Sequence, residues 1–181
     1  MKIILPRPLD VTLLHLRAGV FLGQLMRTIV FIDGQNLYHL AKNAWPAHAG
    51  PGINPYWYPS YDVKKLANTL VSKIPDRTLA QVRFYSGVPD ATTNQFWHTF
   101  WSNKLRYLSN NGVYTYRGRV SANGNEKGVD VSLAIDLIRL TYEQTYEVAL
   151  IVSQDRDSGP AVRLAKLIAK EQNRTLSFES W

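Results

Sequence analysis

The 181-residue chain contains no cysteine. That excludes disulfides, thiolate metal sites and cysteine nucleophiles, and it fits a reducing compartment such as the cytoplasm. No apolar run reaches the ~18–20 residues of a membrane span, so no membrane partner is expected. The four histidines have no ligand-like spacing. No glycine-rich phosphate turn follows the first apolar strand and no P-loop is present, which sets aside a dinucleotide-dependent dehydrogenase and a P-loop NTPase. Acids are the minority charge: 14 Asp and Glu stand against 21 Lys and Arg, for a net charge of +7. A basic domain commonly meets polyanions, and nucleic acid leads the expected partners.

What is present is one domain's worth of alternating elements. Ile29-Val-Phe-Ile32 reads as a strand buried on both faces, stopped at Asp33-Gly34 and followed by helical spacing from Asn36 to Asn43. A loop from Trp45 to Tyr61, rich in proline and aromatics, leads to a helix with Ser60 as its expected cap. Further strands are predicted over Leu79–Val88, alternating roughly apolar and polar with Val82 and Phe84 against Arg83 and Tyr85, and over Val113–Val120, Val148–Ser153 and Thr175–Phe178, with helices over Thr93–Asn111, Val129–Tyr142 and Gly159–Glu171; Ser121–Gly128 reads as a polar loop. This alternation predicts an α/β three-layer sandwich with a mainly parallel sheet and right-handed crossovers. Residues 1–25 differ from the rest and make a poor signal peptide. They are expected to be an extension upstream of a domain that spans 26–181, or an arm packed on the domain or on a partner.

Both of the most apolar strands run into acid: Asp33 after the first, Asp155 and Asp157 after Val148–Val152. Parallel strands end on one edge, and the helix beginning near Val129 brings Asp130 to the same edge. Taken singly, Asp130 and Asp157 are explained as helix caps, and Asp33 as a turn carboxylate beside a positive-φ Gly34. Taken together, like charges at one edge destabilise the fold unless a cation offsets them. Oxygen-only ligands suit Mg²⁺ or Mn²⁺ rather than zinc. Asn36 adds a neutral oxygen or a cap, and Asp136, well round its helix, is a weaker metal candidate.

Three segments carry a family resemblance. Phe31-Ile-Asp-Gly-Gln-Asn-Leu-Tyr38, Lys127-Gly-Val-Asp-Val-Ser-Leu-Ala-Ile-Asp136 and Val152-Ser-Gln-Asp-Arg-Asp-Ser-Gly-Pro160 occur in order. They resemble the three motifs of NYN domains of the LabA-like (DUF88) branch, relatives of the PIN nucleases. The resemblance implies a PIN-like fold and Mg²⁺- or Mn²⁺-dependent hydrolysis of RNA phosphodiesters. It matches Asp33, Asn36, Asp130, Asp155 and Asp157 to catalytic positions, the four aspartates and Asp136 to metal-binding ones. Gln154, Arg156 and Ser158 depart from the usual pattern. A weakly catalytic or non-catalytic RNA- or nucleotide-binding module is the alternative, and an assembly protein such as a homodimer a third reading.

For the polyanion, Lys127 beside the second motif, Arg117 and Arg119 on the third strand and Arg156 between two acids are the expected phosphate contacts. Tyr116, with Tyr114, is the expected stacking surface.

Overall fold

The computed structural model describes residues 25–44, 61–121, 123–155 and 157–181. The segment before Leu25, Ser60, the aromatic loop as far as Tyr61, and Arg156 lie outside the described residues. In chain order the elements are β1 Met26–Asp33, α1 Gly34–Ala44, α2 Val63–Ser72, β2 Arg77–Val88, α3 Gln95–Asn110 and β3 Tyr114–Val120. Then follow β4 Glu126–Lys127, α4 Val129–Tyr142, β5 Val148–Val152, α5 Gly159–Glu171 and β6 Ser177–Ser180. The sheet order is β4-β3-β2-β1-β5-β6. All neighbouring strands are parallel except β3 and β4.

The apolar run in β1 is continuous because both its faces are covered. Ile29 to Ile32 are fully buried, and successive side chains go to opposite cores. Val30 and Ile32 pack with Tyr38, Val63, Leu70 and Trp101 on the α1–α3 side. Ile29 and Phe31 pack with Leu133, Leu137 and Ala165 on the α4–α5 side. By the same alternation Asp33, two residues beyond Phe31, faces α4 and α5. The expected three-layer α/β sandwich is the observed one. Among the described residues no helix is long and apolar enough to cross a membrane.

Three local expectations change. The cap of α2 is Asp62, whose side chain accepts from the Lys65 N–H at 2.9 Å. The polar stretch after β3 holds the short antiparallel strand β4, pairing Arg119 with Lys127 and Val120 with Glu126. Two polar residues carry no periodicity by which to see such a strand. Its turn closes through the Ser121 N–H on the Asn125 carbonyl at 2.8 Å, with Gly124 at φ 81°.

Arg83 also departs from its reading as the polar half of an alternating strand. It is 4% exposed and donates to Asp136 at 2.7 Å and to the Tyr85 hydroxyl at 3.0 Å, while its guanidinium lies 3.5 Å from the centre of the Tyr114 ring. Asp136 also accepts from Tyr85 at 2.9 Å and from Arg139 at 3.1 Å. A buried charge persists only with such partners.

Candidate active site

The strand order runs outward from the middle of the sheet in both directions: β1, β2, β3 one way, and β5, β6 the other. Crossovers therefore leave the carboxyl edge toward opposite faces between β1 and β5, which opens the crevice where α/β sheets bind ligands. Ile32 lies level with Val152, so Asp33 and the loop after β5 flank that crevice. Asp33, Asp130, Asp155 and Asp157 line one small pocket there with Leu133, Ile151, Ser153 and Ser158. Its volume is about 20 Å³, room for roughly one water-sized particle.

Local bonding tests the simpler explanation of each acid. Asp33 does cap: its Oδ1 accepts from the Asn36 N–H at 3.0 Å at the start of α1. Gly34, however, has no positive φ. Its role is close approach, since a Cβ there would stand 2.5 Å from the Phe84 ring and 2.9 Å from the Tyr85 carbonyl oxygen. Asp130 does not cap α4. That place belongs to Gly128, at φ 81°, with Asp130 in the first turn after it. Asp157 does not cap α5 either, because Ser158 holds the cap position. Instead the Asp157 N–H donates to Asp155 Oδ1 at 3.0 Å, and the Asp155 N–H donates to Ser153 Oγ at 3.1 Å. The loop is thus wound on its own carboxylates.

The charges are mutually repulsive. Burial pushes the Asp33 carboxyl above the usual range, and the charges of Asp130 and Asp155 add to this against hydrogen bonds from Asn36 and Gln35. Asp130 is raised by burial and then by Asp155 and Asp157. Among the described residues none of these four acids takes part in an ion pair. An oxygen-only donor set with excess negative charge and an ion-sized space fits a hard divalent cation. Among the described residues no three of the acids stand ready-made as an ion cage. Asp130, Asp155 and Asp157 are exposed at the crevice and free of the packing that locks Asp33.

The sequence reading missed Glu126. Its carboxylate accepts from the Gly87 N–H, in a space that exists because position 87 has no side chain: a Cβ there would stand 2.6 Å from Glu126 Oε1. Burial, with Asp33 and Asp130 adding, pushes its pKa up to about 7. The signal was a carboxylate four residues before Asp130, hidden in what read as a loop. Glu126 ties β2 to the turn that launches α4. Glu126→Ala is therefore expected to lower Tm by about 2–6 °C, a cost of about 1–1.5 kcal/mol for one hydrogen bond in a chain this long. Glu126→Gln, which keeps an acceptor, is expected to stay within about 2 °C of the parent by differential scanning fluorimetry.

Other expected residues are placed as follows. Asn36 neither caps nor faces the pocket as a free oxygen: its Oδ1 accepts from the Gln154 N–H at 3.2 Å. It clasps the first motif to the third, and because the donor is main chain, the bond does not depend on the side chain at position 154. Asp136 is not brought into the acid pocket, since both its oxygens are taken by Arg83, Tyr85 and Arg139. Despite burial, those bonds hold its pKa below the usual carboxylate range. Tyr116 is half-buried and packs on the α4-side core, 6.1 Å from the Tyr85 ring, rather than standing out as a stacking platform. Arg117, Arg119 and Lys127 are exposed, with Arg119 and Lys127 directly opposite each other. Like charges so paired are unfavourable without an anion between them.

No curated protein matches the chain. A protein of unknown function from Vibrio parahaemolyticus RIMD 2210633 shares its fold with a TM-score of 0.51 and 15% identity, over 87% of this chain and 83% of that one. A family model described as the NYN domain matches residues 27–176. With that match covering well over half of the sequence, the chain belongs to the NYN domain family, within the PIN-like nuclease superfamily.

Proposed function

We propose that this protein is a divalent-cation-dependent ribonuclease that hydrolyses RNA phosphodiester bonds. The observation that carries the reading is the pocket of four aspartates at the switch between β1 and β5, crowded enough to raise Asp33 and Asp130 and, among the described residues, lined by no cationic side chain. Asp33 is the fixed ligand, held by the Asn36 N–H. Asp130, Asp155 and Asp157 are the ligands that turn inward, and the Asn36–Gln154 clasp keeps the loop that bears Asp155 and Asp157 in register. Bound Mg²⁺ or Mn²⁺ supplies Lewis-acid chemistry, offsetting phosphate charge and lowering the pKa of water. Lys127 and Arg119 draw the phosphate backbone to the edge. By family resemblance the products are a 5′-phosphate and a 3′-hydroxyl.

A fluorophore–quencher RNA is the test. Cleavage is expected with Mn²⁺ and none with EDTA, and equal cleavage in EDTA contradicts the metal assignment. Among the described residues no three of the acids form a ready-made cage, and the second reading is an RNA-binding module that does not cut. Salt-dependent binding without cleavage in Mn²⁺ supports that module instead. In either case the Arg119→Ala/Lys127→Ala variant is expected to flatten the plot of log affinity against log salt by about 1.4, at ~0.7 per single-strand phosphate contact. Filter binding between 50 and 300 mM salt, taken as an approximate range, measures the slope.

A further inference from the structure

The other side of the same edge carries a larger cavity that the acids do not use. On the α1–α3 face a cleft of about 380 Å³ is lined by Gln35, His39, Asn94, Trp97, Trp101 and Ser121, among others. Among the described residues no Asp, Glu, Lys or Arg lines it. Its walls are aromatic, and Gln35, Asn94 and Ser121 bring amide and hydroxyl groups that both donate and accept. With aromatic walls and neutral donors and acceptors, the cleft suits a flat neutral heterocycle better than a phosphate or a carboxylate, for which the described residues offer no opposing charge. A neighbouring cavity shares Pro89 and Val120 with it and is lined by Arg117 and Arg119 together with Asp90 and His98, so the charged side chains stand beside the cleft rather than in it.

Gly87 joins a residue of the cleft to Glu126. The Gly87 carbonyl accepts from Gln35 Nε2 at 3.5 Å on the cleft side, and the Gly87 N–H donates to Glu126 on the acid side. Gln35 itself is two positions after Asp33. Cleft and aspartates lie on opposite faces of one sheet edge, so a base that reaches the cleft from a phosphate at the aspartates has to leave its stack.

We propose that this cleft receives one unstacked nucleobase of the RNA whose phosphodiester lies at the aspartates. The inference rests on the nuclease reading above and adds to it a base subsite, by which single strands are selected. Stacking a base on aromatic side chains is worth about tenfold or more in binding.

The test uses the full chain, Mn²⁺ and an unstructured RNA in which each nucleotide around the cleaved bond is replaced in turn by an abasic ribose. One position is expected to lose about tenfold in kcat/KM, the others less than threefold. Thr93 is exposed at the cleft lining, and Thr93→Phe is expected to bring intact RNA down to the rate of that abasic substrate. If every abasic substrate is cut like the intact one, the base subsite is wrong while the nuclease reading stands. If no RNA is cut, the nuclease reading fails, and binding of the same RNA carrying 2-aminopurine decides the cleft. Quenching of that base by the parent protein but not by Thr93→Phe supports it; no quenching, or quenching by both, overturns it.

Discussion

Asp33→Asn is expected to lower RNA cleavage by at least about a hundredfold, the scale of losing one preorganised electrostatic group, while leaving the protein as stable as the parent or more so. The two halves follow from one geometry. Asn accepts the Asn36 N–H as Asp does, so the cap at the start of α1 is kept. What disappears is a buried charge beside Asp130 and Asp155, whose carboxyl is already raised. A raised carboxyl binds more protons in the folded than in the unfolded chain, so its ionisation works against folding. The same sign holds for Asp130 and for Glu126, raised to about 7. Without divalent ions, these groups make the parent lose stability as pH climbs from the unfolded carboxylate range near ~4 to about 7, and Asp33→Asn flattens that fall. Melting curves in EDTA at a series of pH values measure it, alongside initial cleavage rates in Mn²⁺. A variant that cuts RNA at the parental rate removes Asp33 from the site. A variant that unfolds makes Asp33 a structural acid.

Asp136→Ala is expected to do the reverse: to cost about 3–5 kcal/mol of stability, through a residue that touches nothing in the acid pocket. The guanidinium of Arg83 is buried with Asp136 as its carboxylate partner, and removing one member of a buried pair strands the other. At ~2–4 °C per kcal/mol for a chain of this length, Tm falls by roughly 6–20 °C. Asp136 is held below its usual pKa, so its contribution is complete above the unfolded carboxylate range and is lost as pH falls through the folded value. That is the opposite slope to the acid pocket, and the two occupy different pH windows. Replacing both partners by apolar residues, Arg83→Met with Asp136→Leu, is expected to recover most of the loss. If Asp136→Ala instead melts like the parent and loses metal-dependent cleavage, Asp136 belongs with the ligands.

How much of this was legible in the sequence depended on what physics each residue reports. Ile29–Ile32 and Val148–Val152 announce buried parallel strands because covering both faces leaves no polar alternation to hide them. Their ends then located Asp33, Asp155 and Asp157 without any tertiary information, since parallel topology alone puts them on one edge. Asp130 was legible by the same rule, through its helix start. Arg83 was misread because alternation tells which face a residue points to, not whether that face is covered; here α4 covers it and brings Asp136. Glu126 was invisible because β4 is two polar residues long and its pairing is set by a turn. The Gly34 requirement was misassigned for a related reason. The sequence shows a glycine, but the Phe84 ring that excludes a Cβ comes from another strand. Asn36 looked like a cap because helix starts favour Asn; its bond to the Gln154 N–H spans 118 positions and has no local sign.

Whether these aspartates take a cation decides the function proposed for the molecule. Crystals soaked in Mn²⁺ and measured at a wavelength where manganese scatters anomalously test that directly. The expected result is an anomalous peak between Asp33 and Asp130, with Asp155 or Asp157 turned to meet it. A map with no peak at that edge, or with manganese only at acids such as Glu147 or Glu179 that already hold arginines, contradicts it.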